Sequence, residues 1–63
     1  MHIDVRARIL NAIRALQPVP QRGIVAQVNA TPPEVTTRRV DLTLQTLRKK
    51  KAIKHTADGW VIA

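Results

Sequence analysis

Apolar residues return at helical spacing three times along this chain, then gather in two short runs around a glycine. Over residues 5–16, Val5, Ile9, Ala12, Ile13 and Leu16 form one stripe, with Arg6, Arg8 and Arg14 off it. Asp4 is placed to cap that helix, and its charge suits the positive helix end. Pro18 pushes Gln17 toward extended backbone and stops the helix there. Pro18-Val19-Pro20 then reads as a short extended connector. About residues 21–29 predict a second helix of two turns, with Ile24, Val25 and Val28 apolar and Asn29 as terminator. Gly23 weakens it by roughly 1 kcal/mol relative to alanine.

A third helix is predicted over about residues 36–50, where Val40, Leu44 and Leu47 make a buried stripe and Lys49, Lys50 and Lys51 crowd the negative end. Its start has two readings. Thr31 can cap it, with Pro32 in the first turn and Glu34 closing a capping box. Alternatively Thr36 or Thr37 caps it a turn later and leaves T-P-P-E as a loop. In either case Arg38 and Arg39 ride on the early turns.

The last stretch, residues 52–63, predicts a hairpin. Asp58-Gly59 is the turn signal, flanked by Ile53-Lys54-His55 and Trp60-Val61-Ile62. Two strands do not stand alone in water, so they must lie on the helices, with Val19 available as a third short strand. Trp60 is expected to close the core and not to stack on a base. The pattern as a whole is mainly α with a small β-hairpin.

Composition narrows what such a fold can be. Sixty-three residues make one domain, near the lower limit for burying a stable core. There is no cysteine, so neither disulfide nor thiolate metal site assists, and the redox compartment is unconstrained. With Trp60 the sole aromatic, the core must be aliphatic. No apolar run approaches the ~20 residues of a membrane span. The Arg-rich amphipathic segment V-R-A-R-I-L-N-A-I-R-A-L-Q has the look of a transit peptide. Asp4 and the core's need for its stripe assign it to the fold, and the expected location is cytoplasmic.

Charge changes the picture most. Eleven Lys and Arg against four acids leave a net charge of +7. A polyanionic partner relieves that self-repulsion: nucleic acid first, an anionic membrane surface second. Catalysis finds no support, since no nucleophile, base and orienter can be assembled and no glycine-rich phosphate loop is present. His2 and His55 are not at metal-ligand spacing. No enzyme activity, cofactor, metal or small-molecule ligand is expected.

From Leu44 to Ile62, L-x-x-L-R-K-K-K-A-I-K-H-T-A-D-G-W-V-I resembles the end of a recognition helix followed by the wing of a winged helix-turn-helix domain. The order helix, helix, helix, hairpin extends the resemblance over nearly the whole chain. Two departures stand out. A glycine often occupies the position of Lys51, and the stretch between the second and third helices is longer than usual by about one turn. The resemblance implies that the third helix enters the DNA major groove, the second braces it, and the wing touches the backbone or an adjacent minor groove.

At ~100° per residue, the side of the third helix opposite its stripe carries Arg38, Leu42, Gln45 and Lys49, with Arg39 and Thr46 beside them. Arg38, Arg39, Leu42, Gln45 and Thr46 are the candidate base readers: arginine forks to guanine, glutamine pairs with adenine, an apolar group meets a thymine methyl. Leu42 is expected to be buried under the second helix with Val35; base contact or a subunit interface are its other fates. If buried, it turns the reading face toward Arg39, Thr43 and Thr46. Candidate phosphate contacts are Thr36 and Thr37 at the helix start, Lys49, Lys50, Lys51, Lys54 and His55 around the wing, and Arg22 on the second helix.

The expected function is a small double-stranded DNA-binding regulator of phage or mobile-element type, without a ligand-sensing domain. The alternative is a winged-helix module that binds an acidic protein partner. One domain offers about 600–1,000 Å² to DNA, so a weak homodimer or cooperative binding on paired half-sites is expected. RNA is disfavoured by the lack of aromatic platforms.

Overall fold

Asp4 starts the first helix: its carboxylate accepts the Ala7 N–H at 3.1 Å and caps α1, Val5–Leu16. The computed structural model describes residues 4–63; His2 lies outside them. α2 follows at Gln21–Val28, α3 at Thr37–Lys49, and two antiparallel strands, β1 (Ile53–Thr56) and β2 (Gly59–Ile62), close the chain. The three helices and C-terminal hairpin form a topology consistent with a winged helix. The radius of gyration, 10.6 Å, is that of a close-packed chain of this length. Among the described residues no helix is long and apolar enough to cross a membrane.

All three helical stripes turn inward. Val5, Ile9, Ala12 and Ile13 from α1 meet Ile24 and Val28 from α2 and Val40, Leu44 and Leu47 from α3. Ile53 and Trp60 cover this aliphatic centre from the hairpin, and Trp60 is only 5% exposed. Leu16 is a correction. It shares the α1 stripe but is 44% exposed, because it is the last helical residue and the chain leaves for the hairpin beyond it. Leu10, off the stripe, packs partly against the core instead.

Val19 joins the two-stranded sheet as a single antiparallel bridge and not as a full third strand. Its N–H donates to the Trp60 carbonyl at 3.1 Å and its carbonyl accepts the Trp60 N–H at 2.7 Å. The Gln17 side chain extends this edge by accepting the Ile62 N–H at 2.9 Å. The hairpin turn differs from the Asp58-Gly59 expectation by one residue. Thr56 pairs with Gly59, so Ala57 and Asp58 form the turn and Gly59 opens β2. Proximity to Val19 is the reason: a Cβ on Gly59 would lie 2.6 Å from the Val19 carbonyl carbon, and φ is +132°. The glycine is required by the close approach of Val19 more than by the turn. The Thr56 hydroxyl tightens the corner, donating to the Gly59 carbonyl and accepting the Asp58 N–H.

The exit of α3 solves its missing glycine by placing Lys51 itself in the left-handed region, at φ 62°. The Ala52 N–H reaches back to the Leu47 carbonyl and the Lys51 N–H to that of Arg48, both at 3.0 Å. This is the paired hydrogen bonding of a Schellman cap, made at a non-glycine residue.

Candidate nucleic-acid interface

Of the two possible starts for α3, Thr36 prevails. Its hydroxyl accepts the Arg39 N–H at 3.1 Å, and residues 31–34 remain a loop. The reason lies outside the helix. Arg8 of α1 reaches across and donates to the carbonyls of Val28, Thr31 (2.6 Å) and Pro33 (3.2 Å). Asn29 then grips Val35, accepting its N–H at 2.6 Å and donating to its carbonyl at 2.9 Å. Val35 is thereby buried beneath the loop. A helix begun at Thr31 would take the Thr31 and Pro33 carbonyls into its own hydrogen bonds and break the grip of Asn29 on the Val35 backbone.

The Val40-Leu44-Leu47 seam sets the rotation of α3 against α1, α2 and β1. What remains outside is a central ridge of Arg38, Leu42 and Lys49, with Arg39 and Thr46 also exposed and Gln45 half-buried. The expectation that Leu42 is buried is overturned. It is 54% exposed, because its azimuth lies about 140–160° from the three seam residues.

A groove runs along each side of the ridge. On one side Arg39, Leu42, Thr43 and Thr46 face the start of α1, where Asp4, Val5 and Arg6 form the opposite wall. On the other, Gln45 and Arg48 face the hairpin corner at His55, Ala57 and Asp58, with Pro20 and Gln21 of α2 at the floor. The candidate base readers are thus distributed over a ridge and two grooves.

Hydrogen bonding limits what these side chains can offer. Thr46 donates its hydroxyl proton to the Leu42 carbonyl at 3.1 Å, and Thr43 donates to that of Arg39 at 2.8 Å. Neither brings a free donor to the face. Gln45 accepts the Arg48 Nε–H on Oε1 at 3.1 Å, which ties that oxygen to Arg48 and leaves the amide N–H groups uncommitted. Arg48 was missed in the sequence, although i, i+3 spacing from Gln45 was the available signal.

The candidate phosphate contacts are all exposed. Thr36 and Thr37 sit at the α3 start, Lys49, Lys50 and Lys51 at its exit, Lys54 and His55 on β1, and Arg22 on α2. The His55 ring leans on Trp60, centroids 4.8 Å apart and planes tilted by 59°. Among the described residues no group of three acidic or histidine side chains gathers as a metal site. Comparison of the chain with protein-family models, curated proteins and solved structures gives no match.

Proposed function

We propose that this chain is a small winged helix-turn-helix protein that binds double-stranded DNA, reading the major groove with α3 and acting as a transcription regulator of phage or mobile-element type. One observation carries the reading. The apolar seam of α3 turns wholly inward, and the opposite side, with Arg38, Leu42 and Lys49, is left open between two grooves rather than covered by the hairpin. A net charge of +7 supports a polyanionic partner. In this reading Arg38, Arg39, Leu42, Gln45 and Thr46 meet bases. The open N–H groups at the α3 start, with Thr36, Thr37, Arg22 and the cations of the helix exit and hairpin, meet phosphates. A single domain of this size gains useful affinity by pairing on adjacent half-sites.

Fluorescence anisotropy with a labelled random-sequence duplex tests it at two salt concentrations. Four phosphate contacts predict a loss on the order of 100-fold in affinity when salt rises fourfold. Binding that ignores salt would refute the proposal. Arg38→Ala and Arg39→Ala then separate roles: lost sequence preference marks a base reader, uniform weakening a phosphate contact. Exposed Leu42 favours a second reading, in which the same face meets an acidic protein partner. Failure to bind any duplex at low salt would transfer the assignment to that partner.

A further inference from the structure

The geometry points to a specific base pattern for this face: a thymine whose methyl group meets Leu42, flanked by guanine rather than adenine. The inference rests on the DNA-binding reading and deepens it. Leu42 is a large apolar side chain, 54% exposed, set in the middle of a cationic surface and, among the described residues, without a covering element of its own domain. In a major groove the apolar feature that matches it is the thymine C5-methyl. Its neighbours reinforce the choice. Thr46 directs its hydroxyl proton onto the Leu42 carbonyl, so it brings no donor of its own to the space beside the leucine.

The flanking preference follows from Gln45. Reading adenine requires a glutamine to donate to N7 and accept from the N6 amino group at once. Here the Arg48 Nε–H takes one of the two lone pairs of Oε1 and ties that oxygen to Arg48, while the amide N–H groups stay uncommitted, which favours a base that only accepts. With Arg38 one turn before Leu42 and Gln45 about 4.5 Å after it along the axis, donors stand on both sides of the thymine position. Guanine, with acceptors at both N7 and O6, satisfies them; adenine sets an amino group against them. Asp41, the only carboxylate on α3, is half-buried and lies about 60° round the helix from Arg38, off the ridge.

The test begins with duplexes carrying a randomised centre, from which the wild-type chain selects at low salt. The recovered sequences should share thymine next to guanine. Replacing thymine by deoxyuracil in the selected duplex removes only the methyl. This should weaken wild-type binding roughly fourfold and leave Leu42→Ala indifferent. Arg48→Ala, by freeing Gln45 Oε1, should shift the selected flanking base from guanine toward adenine. Both positions are exposed, so unchanged melting of the variants certifies their fold. Salt-dependent binding with no shared sequence, or equal affinity for thymine and uracil duplexes, overturns this inference and leaves DNA binding standing. No binding to any duplex removes both. Sedimentation of the free protein that slows on Leu42→Ala, with no uracil effect, would assign Leu42 to a second copy of the chain and likewise overturn it.

Discussion

The links on either side of α2 are held by different means. Residues 17–20 are fixed by backbone: Val19 exchanges two hydrogen bonds with Trp60, and Gly59 lets the strands approach closely enough to do so. Residues 29–36 are fixed by side chains: Arg8 spans three carbonyls and Asn29 holds both polar groups of Val35. The first link ties α1 and α2 to the hairpin. The second decides where α3 begins and hence where its arginines are presented. A backbone link admits almost no substitution at its contact, whereas a side-chain link can be dismantled one group at a time.

The sharpest break of that contrast is Gly59→Ala. The added methyl collides with the Val19 backbone and the residue must keep a φ that only glycine adopts freely, so a loss of about 4 kcal/mol is expected in urea unfolding. Wild-type stability in this variant would mean that the hairpin does not depend on Val19.

On the other link, Arg8→Ala removes the charged donor from three carbonyls that partly face solvent. The expected loss is about 2 kcal/mol, with faster amide exchange confined to residues 29–36 and the start of α3. Slower exchange there, or acceleration at Val19 and Trp60 instead, would remove Arg8 from the role of clamp. The smallest effect is a gain. Lys51→Gly relieves the left-handed backbone at the helix exit and should raise stability by about 1 kcal/mol in thermal melts, leaving α3 in place. A decrease would show that the lysine side chain contributes more than its backbone costs.

Much of this fold was legible because its signals are local. The α1 cap at Asp4, the stop at Pro18 and the Val40-Leu44-Leu47 seam each depend on residues within two turns of one another. The candidate site was legible in part for the same reason: once the seam is placed inward, Arg38 and Lys49 must lie outside. Arg8 was not legible as a clamp, because at the margin of the α1 stripe it looks like any solvated arginine until the loop carbonyls are brought to it. Leu42 misled for the opposite reason. Its apolar character suggests burial, but it lies opposite the seam that faces the core, while Val35 is buried from a loop with no periodicity to announce it.

By itself the sequence determined three helices, a hairpin, an aliphatic core closed by Trp60 and a strongly basic surface, since periodicity, capping residues and charge act over a few neighbours. Tertiary structure alone decided which threonine starts α3, which pair of residues turns the hairpin, that Lys51 bends left-handed, and that Leu42 stands in the open. The first two choices are made by partners distant in the chain, Arg8 for the loop and Val19 for Gly59, whereas the helix exit closes on Leu47 and Arg48 once β1 must follow, and Leu42 is left outside by the rotation that the core imposes on α3. Competing local options of similar free energy are separated only when the rest of the molecule supplies the contact that one of them can make.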